Sequence, residues 1–436
     1  MTKEKFTNTL YTNDNLFILN GMNSNLVDLI YLDPPFNSKR FYSAPIGSKA
    51  AGSSFKDMWT WEDVNEAYLE ILAGKYPALA RFIGSIGKIH SKAMKAYLTY
   101  MAQRIIEMHR ILKDTGSLYL HCDATASHYL KIVLDEIFGK NNFRNEIVWC
   151  YNRWTAVANK FQKMHDVILY YTKDEKHTFN KLFADASESR SEKLQRGYQT
   201  NTVKSGEERI SQLIVYDREK AQHLIASNKY GNIVYKDNST EVVLPDWWEI
   251  PILNSQSKER TGYPTQKPLA LLKRIILASS NEGDIVFDPF CGCATTCVAA
   301  QQLNRKWIGI DIEKQAVNVL IERLSNDAGM FKDFINTAMI PQRTDVKYEP
   351  KSKSVKERLY KEQNGICNGC KNEYLIKDFE IDHIIPVNKG GGSYYENYQL
   401  LCGNCNKTKN NRPMEYLRIV TNSRDNLLKT EIEFGE

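Results

Sequence analysis

Asp33, followed by Pro34 and Pro35, is the first group of residues whose types suggest chemistry. The two prolines remove two backbone donors and fix two φ angles, so they leave the Asp33 carboxylate and the Pro34 carbonyl as rigid, unpaired hydrogen-bond acceptors. Both could accept from an exocyclic amine, and Phe36 would offer a stacking face to a base that has left its duplex. An ordinary turn between a strand and a loop is the alternative interpretation.

The segment from Asp288 to Thr296 has the pattern of a cofactor loop. Gly292 lets the backbone approach a ligand closely, and the free amides at the start of the following apolar helix favour a carboxylate or phosphate. Asp311 follows the next apolar run, about 20 residues further on, where Rossmann-like sites place a carboxylate for ribose hydroxyls. Together these residues predict a pocket for a nucleoside cofactor.

Two Cys-x-x-Cys pairs lie near the end of the chain, with 31 residues between them. This layout suits one tetrahedral, structural zinc ion that holds a small loop-rich domain together. A segment of about 60 residues has little core of its own, so zinc would supply much of its folding free energy. Four unrelated thiols are the alternative. The four predicted zinc ligands are Cys367, Cys370, Cys402 and Cys405.

Short apolar runs must position these residues. Residues 27–32, 285–287 and 307–310 are each apolar and precede Asp33, Asp288 and Asp311. Such runs are typical of parallel strands buried on both faces, and ligands bind at the carboxyl edge of such sheets. The sequence therefore predicts an α/β fold with all three acids at one sheet edge.

Composition limits the partners and the compartment of the chain. The 436 residues carry a net charge of +6 with a pI near 8.6, so contact with nucleic acid must come from local basic patches. No apolar run approaches the ~20 residues of a membrane span, and no signal region follows the N-terminus. Nine cysteines without a secretory signal favour a reducing compartment, and we expect a cytoplasmic, DNA-associated protein.

Three motifs and their order resemble those of the β-class amino-methyltransferases, which modify exocyclic amines in DNA with S-adenosylmethionine as donor. The motifs are Asp-Pro-Pro-Phe at 33–36, Tyr-Pro-Thr-Gln-Lys-Pro at 263–268 and Asp-Pro-Phe-Cys-Gly at 288–292. Further matches at 116–121, 145–149 and 305–309 extend the resemblance over residues 8 to 330. It implies a Rossmann-like, doubly wound methyltransferase sheet in permuted motif order, and double-stranded DNA as partner.

The resemblance also assigns roles. Asp33 and Pro34 would orient the target amine and Phe36 would stack on the base, and an aspartate at the first position resembles the adenine-N6 members without excluding cytosine-N4. Ala294 replaces the family's third glycine and adds a methyl group where the backbone usually lies close to the cofactor. A helix cap is the alternative role of Asp14. The cofactor-binding residues implied are Asp14, Lys267, Asp288, Phe290, Gly292, Thr295 and Asp311.

Between the cysteine pairs, residues 379–386 resemble an HNH endonuclease, a ββα-metal fold that here would be stapled by zinc. The resemblance implies that Asp382 and Asn406 hold a magnesium or manganese ion, that His383 activates water, and that Asn397 orders the loop around the histidine. Many members have histidine where this chain has Asn406, and other active members use asparagine. A core histidine, or a zinc module that only binds DNA, is the alternative.

These resemblances predict a domain order: methyltransferase at 1–340 with a target-recognition insertion at about 153–250, basic linker at 341–356, HNH domain at 357–416, and tail at 417–436. The leading hypothesis is a single-chain restriction-modification enzyme. One alternative is a solitary methyltransferase, for adenine or cytosine-N4, whose zinc module only binds DNA. Another is methylation of structured RNA. The recognition sequence and the oligomeric state, a homodimer included, stay open.

Overall fold

A computed structural model forms two compact units, one of Met1–Phe179 with Asp246–Glu436 and a smaller one of Asn180–Pro245. The residues described are 8–35, 40–43, 54–57, 72–153, 159, 161–185, 188–205, 208–236, 241–254, 256–313, 315–326, 334–414, 416–418 and 420–421. Among these residues, no helix is long and apolar enough to cross a membrane.

The first part of the larger unit contains both strands and helices. The helices α1 to α4 pack their apolar faces on the strands, and the main core contains Ile18, Ile83, Met101, Leu118 and Leu130, all almost fully buried. The elements are β1 (Thr9–Thr12), α1 (Asn15–Gly21), β2 (Val27–Leu32), β3 (Arg40–Ser43), β4 (Ser54–Asp57), α2 (Pro77–Ile89), α3 (Lys92–Ile111), β5 (Leu112–Cys122), α4 (Ser127–Leu134), β6 (Phe143–Cys150) and β7 (His165–Thr172).

The smaller unit is built around a three-stranded sheet. Its elements are β8 (Phe183–Asp185), α5 (Glu188–Arg196), β9 (Tyr198–Ser205), β10 (Glu208–Val215), α6 (Gln222–Ala226), β11 (Asn232–Tyr235) and β12 (Glu241–Val243). Strand β10 pairs antiparallel with β9 and parallel with β11, while β8 and β12 form a separate antiparallel pair. Leu213 and Val215 of β10 pack with Ala221 in the core of this unit.

The remaining strands of the larger unit complete one nine-stranded sheet in the order β13-β6-β7-β5-β2-β14-β15-β1-β16. Strand β7 is antiparallel to both neighbours, and the other pairs are parallel. The Rossmann-like α/β prediction is confirmed, with a mixed sheet. The new elements are β13 (Trp247–Glu249), α7 (Leu269–Ser279), β14 (Ile285–Asp288), α8 (Thr295–Gln302), β15 (Lys306–Asp311), α9 (Gln315–Asn326) and β16 (Ile335–Thr337).

The expected insertion at 153–250 is only partly separate from this sheet. Strand β7 and strand β13 both fall within that segment and both belong to the sheet. Residues 167–171 of β7 form an apolar run that is buried, which is why the sheet retains it. The separate unit is therefore the shorter segment Asn180–Pro245.

The C-terminal part of the larger unit folds as two strands followed by a helix. Its elements are α10 (Lys353–Glu362), β17 (Phe379–His383), β18 (Tyr398–Cys402) and α11 (Gly403–Lys409). Strands β17 and β18 pair antiparallel, with Asp382 opposite Gln399. A small core of its own includes Val355, Leu359 and Leu400. This is the ββα arrangement that the resemblance predicted.

The C-terminal part is docked on α1. Gly390, with φ of +89°, lies so close to α1 that an added Cβ would stand 2.4 Å from the Phe17 carbonyl oxygen. The Lys389 ammonium lies 4.4 Å from the centre of the Phe17 ring, and Asn20 Nδ2 donates to the Lys389 carbonyl oxygen at 3.3 Å. Backbone and side chain thus both contribute to this contact.

The connecting segment before α10, which the sequence predicted as a basic linker, is held along its course by hydrogen bonds. Thr344 N donates to Asn23 Oδ1 at 2.7 Å, and Ser24 N donates to Asp345 Oδ2 at 2.9 Å. Arg343 pairs with Asp345 at 2.8 Å. Complementary side chains, which composition does not reveal, fix the segment against the turn after α1.

Candidate active sites

One cavity of about 410 Å³ lies at the carboxyl ends of β2, β14 and β15. These strands are neighbours in the sheet, so the acids that end them converge as the sequence predicted. Phe36 lies outside the described residues. The predicted residues that line the cavity are Asp14, Asp33, Pro34, Lys267, Asp288, Phe290, Gly292, Thr295 and Asp311.

Asp33 is paired at one carboxylate oxygen and unpaired at the other, so the expectation of a fully unpaired carboxylate is corrected. The Lys267 ammonium donates to its Oδ2, and the pair is largely buried. Oδ1 of Asp33 is also buried and has no hydrogen-bond partner among the described residues. The two prolines could not reveal this pairing, because its cation comes from a loop more than 200 residues away in the sequence.

Gln266 shapes the loop that carries Lys267. Its Oε1 accepts from both the amide and the hydroxyl of Thr261 at 2.8 Å, and its Nε2 donates to the Glu259 carbonyl oxygen at 2.7 Å. Thr265 adopts a positive φ of 63° beside it. The loop is thus closed on itself before α7 begins, and Lys267 leaves it from a fixed position.

The loop after β14 is tied to the end of β15. Gly292 N donates to Asp311 Oδ2 at 2.8 Å, and Glu313 N donates to Asp311 Oδ1 at 2.8 Å. Gly292 has φ of +49°, and an added Cβ would lie 3.0 Å from the Tyr263 ring. Burial and, after it, the Glu313 carboxylate raise the pKa of Asp311 to about 6, while both amides oppose the rise.

Asp288 mainly holds the loop together. Its Oδ1 accepts from Phe290 N at 3.0 Å, and its Oδ2 accepts from the Thr296 hydroxyl at 2.5 Å. Burial raises the pKa of this carboxyl group to about 7, although both hydrogen bonds lower it. Ala294 is fully buried in the left-handed region, with φ of +57°, and it is not among the residues that line the cavity.

Asp14 both caps α1 and lines the cavity, so the two interpretations of this residue are compatible. Its Oδ1 accepts from Leu16 N at 2.8 Å and pairs with Arg104 at 3.0 Å. Arg104 is almost fully buried, donates to Asn15 Oδ1 at 2.6 Å, and lies 3.3 Å from the centre of the Tyr100 ring. The sequence argument missed Arg104 and Tyr100, because no motif marks them on α3.

A second cavity, of about 310 Å³, lies in the C-terminal part. It contains Asp382 and His383 together with Lys409 and Asn410. Asp382 Oδ2 accepts from Gln399 Nε2 and from the Lys409 ammonium, each at 2.9 Å. His383 Nε2 lies 3.2 Å from Ser393 Oγ, and burial lowers the pKa of this imidazole, with the Lys351 charge adding to the effect.

The two predicted asparagines differ in where they lie. Asn397 is buried, and its side chain bonds to Ile385 N at 2.8 Å and to the carbonyl oxygens of Ile385 and Gly392 at 3.0 Å, so it closes the loop that follows the histidine. Asn406 donates instead to Glu380 Oε2 and is not among the residues lining the cavity. Its role as a metal ligand stays a prediction.

The four predicted zinc ligands do converge. The sulfur atoms of Cys367, Cys370, Cys402 and Cys405 all lie within 4.8 Å of one another. Tetrahedral zinc with bonds of about 2.3 Å places its sulfurs about 3.8 Å apart, so the cluster could hold this ion. A hydrogen bond from the Cys405 thiol, which is the largest cause, and further hydrogen bonds from backbone amides lower the pKa of Cys367 to about 4. These amides stabilise the thiolate, which is the form of cysteine that binds a metal ion.

Comparison with known proteins decides the family. The family described as DNA methylase matches residues 27–323, which include β2, β14, β15 and most of the residues that line the larger cavity. The chain belongs to the DNA methylase family. A second family, described as HNH endonuclease, matches residues 367–412, so this DNA methylase carries a C-terminal HNH domain.

Two curated relatives illustrate the similarity. The DNA methylase is 33% identical over 282 residues to type II methyltransferase M.EcaI of Enterobacter cloacae, covering 57% of this chain and 61% of that relative. It is 29% identical over 318 residues to DNA adenine methyltransferase YhdJ of Escherichia coli K12, covering 72% and 82%. A solved M1.HpyAVI–SAM complex is 18% identical, with a TM-score of 0.36, over 72% of this chain and 98% of that one.

The larger cavity of this DNA methylase suits S-adenosylmethionine. Asp311 offers carboxylate oxygens to ribose hydroxyls, and Gly292 provides room that a side chain would fill. When bound there, the cofactor supplies an activated methyl group. Oδ1 of Asp33, which is buried without a partner among the described residues, is an acceptor that a ligand N–H could satisfy.

The smaller cavity offers only some of the oxygen ligands that a hard divalent cation needs. Asp382 is the carboxylate that lines it, and asparagines 388, 410 and 411 add amide oxygens. Magnesium commonly takes one or two protein carboxylates and fills its shell with water and phosphate oxygens, so this donor set fits such an ion if DNA supplies the rest. Lys409 already neutralises part of the Asp382 charge.

Proposed function

We propose that the chain methylates the N6 amine of adenine in double-stranded DNA, with S-adenosylmethionine as donor, and cleaves DNA with its HNH domain. The two activities on one chain would form a single-chain restriction-modification enzyme. The chain covers about 61% of the length of M.EcaI. The activities are therefore proposed for this chain and are not taken over from that relative. Its site of action would be intracellular DNA.

The methyl-transfer part rests on one observation above the others. Asp33 Oδ1 is buried without a partner among the described residues, in the cavity that also holds Asp311 and Gly292. An amine that donates to this oxygen would have its lone pair held for attack, since hydrogen bonding to its N–H discourages conjugation of the lone pair into the ring. Positioning then provides most of the catalysis.

Adenine is favoured over cytosine by the residue at position 33. The resemblance associates aspartate there with adenine-N6 members, and YhdJ is described as a DNA adenine methyltransferase. Nucleoside digestion and mass spectrometry of methylated plasmid would distinguish N6-methyladenine from N4-methylcytosine. Competition between duplex DNA and structured RNA would test the RNA alternative.

The cleavage part rests on the cavity of the HNH domain. His383 and Asp382 share an open cavity, and a neutral imidazole there can take a proton from water. A bound magnesium or manganese ion would stabilise the charge on the scissile phosphate. The second candidate function, a zinc module that only binds DNA, is favoured by the position of Asn406 on Glu380.

The decisive experiment compares wild type with His383→Ala on unmethylated and self-methylated plasmid, with magnesium or manganese, and with or without S-adenosylmethionine. Cutting of unmethylated plasmid by wild type alone, prevented by prior methylation, would support the restriction-modification proposal. Methyl transfer without cutting on any substrate would make the C-terminal domain a DNA-binding module. Cutting of methylated plasmid alone would mean that methylation directs cleavage and does not protect against it.

Asp33→Ala provides the matching control for methyl transfer. We expect it to abolish transfer while cofactor binding stays nearly intact, because in this proposal Asp33 contacts the amine and not the cofactor. Calorimetric titration with S-adenosylhomocysteine measures the binding, and tritium transfer to DNA measures the reaction. Substantial residual transfer would contradict the role of Asp33.

A further inference from the structure

Lys267 is a buried cation that lines the larger cavity. Its residue exposure is 9%, and its ammonium donates to Asp33 Oδ2 and to the Thr265 carbonyl oxygen at 3.4 Å. Charge-assisted hydrogen bonds of this kind are stronger and more directional than neutral ones, especially where water is excluded. Lys267 therefore fixes how the Asp33 carboxylate is rotated.

The two oxygens of Asp33 are consequently different. Oδ2 is occupied by Lys267, while Oδ1 is buried and accepts no hydrogen bond from any described residue. A buried acceptor without a donor costs free energy, so such an atom needs a functional explanation. A ligand N–H that donates to Oδ1 supplies one.

The backbone on both sides of the ion pair is held in place. Gln266 closes the loop through three hydrogen bonds to residues 259 and 261, directly before the lysine. On the other side, Pro34 and Pro35 restrict the backbone that follows Asp33. Both partners of the ion pair thus leave from backbone that cannot readily shift.

We propose that Lys267 is a positioning residue for methyl transfer, which acts through Asp33 by holding Oδ2 so that Oδ1 accepts an N–H of the target amine. This role rests on the proposed function, and it differs from the cofactor-binding role that the family resemblance implies for Lys267. In the reaction, the amine nitrogen forms a bond to the methyl carbon as the sulfur–carbon bond breaks, and the nitrogen then releases a proton to water. Lys267 takes no part in these bonds.

The test is a double-mutant cycle of Lys267→Met and Asp33→Asn, measured by single-turnover methyl transfer to plasmid DNA. We expect Lys267→Met to slow transfer about 100-fold, the order of loss that misplacement of a catalytic group causes. In the Asp33→Asn background, we expect Lys267→Met to change the rate less than threefold, because residues that act as one unit are not additive. Effects that multiply would overturn the proposal.

Cofactor affinity separates this role from cofactor binding. S-adenosylhomocysteine should bind Lys267→Met within about threefold of wild type by calorimetry, whereas a tenfold or greater loss would make Lys267 a cofactor ligand and overturn the proposal. The Lys267→Arg variant should recover part of the transfer rate, because it keeps a cation that can reach Asp33.

Lys113→Met is the matched control. It removes another lysine–aspartate pair, in which the ammonium of Lys113 on β5 lies 2.7 Å from Oδ1 of Asp28 on β2, and neither residue lines the cavity. This variant should transfer methyl groups at the wild-type rate. A wild-type chain that methylates no DNA would overturn the proposed function and this role with it, whereas an active wild type matched by Lys267→Met would overturn the role alone.

Discussion

The Lys409 ammonium lies 2.9 Å from Asp382 Oδ2 and is almost completely buried, with 1% of the residue exposed. It also donates to the His383 carbonyl oxygen at 2.8 Å. Lys267 and Asp33 form a similar pair in the other cavity. In both candidate sites a buried lysine thus holds one oxygen of the aspartate to which the proposed function gives a role.

Lys409→Met should destabilise the HNH domain by about 3 kcal/mol, because removing one partner of a buried ion pair leaves an uncompensated charge. Hydrogen exchange of the β17 and β18 amides in the full chain measures this local stability. Lys407→Met is the control, since Lys407 is exposed on the same helix. Equal protection in both variants would show that the pair contributes no stability.

Removal of zinc should unfold the C-terminal domain and leave the methylase sheet folded. The four sulfurs converge within 4.8 Å, and a domain with so small a core depends on its metal for folding free energy. Chelation followed by hydrogen exchange should show lost protection in β17 and β18 but retained protection in β2 and β14. Inductively coupled plasma mass spectrometry should find one zinc per chain, and Cys402→Ser should abolish it.

Cofactor affinity should fall as the pH drops through about 6. Burial raises the pKa of Asp311 to about 6, and ribose hydroxyls need its ionised form, so binding is complete above this pH and weakens about tenfold per unit below it. Calorimetric titration of S-adenosylhomocysteine from pH 5 to 8 measures the slope. Asp288, with a pKa raised to about 7, titrates in the same pH range, so a reference variant is needed to separate the two carboxyl groups. Asp311→Asn should bind S-adenosylhomocysteine more weakly, and its affinity should depend less steeply on pH.

Ala294→Gly should cost less stability than Ala299→Gly, by about 1 to 2 kcal/mol. Both alanines are fully buried, but Ala294 has φ of +57°, where a Cβ is strained, while Ala299 lies inside α8. The two losses of methyl burial largely cancel in the comparison. Thermal unfolding of both variants measures the difference, and an equal loss would show that Ala294 carries no strain.

The sequence predicted the strands that carry the site. Buried parallel strands are continuous apolar runs, so residues 285–287 predicted β14 and residues 307–310 predicted most of β15. Adjacent parallel strands end at one edge, and the acids after them therefore had to converge. The cysteine spacing likewise predicted a cluster, because the residue type and the interval within each Cys-x-x-Cys pair are sufficient to recognise a zinc site.

Pairings between distant side chains could not be predicted in the same way. Arg104 reaches Asp14 from a long helix, Lys267 reaches Asp33 from a loop, and neither pair has a fixed spacing. The position of Asn406 depends on Glu380, a competing partner two residues before Asp382 on β17. Such choices are made by tertiary packing, which a single sequence does not display.

The docking of the HNH domain on α1 also depends on one residue without a side chain. An added Cβ at Gly390 would lie 2.4 Å from the Phe17 carbonyl oxygen and 3.1 Å from Gly21 N, both backbone atoms that cannot move aside cheaply. Asp14 caps the opposite end of the same helix and lines the larger cavity. One end of α1 therefore borders the larger cavity, and the helix also contacts the HNH domain.

Gly390→Ala should separate the HNH domain from α1, because the new methyl group would overlap the helix backbone. Gly283→Ala is the matched control. Gly283 has a similar φ of +83° but no atom within 4 Å of an added Cβ, so this variant introduces backbone strain without a steric clash. Hydrogen exchange should speed up in α1 and at residues 387–390 in the first variant alone. Equal exchange in the two variants would mean that the docked contact contributes no protection, and the C-terminal domain would then be tethered by its connecting segment.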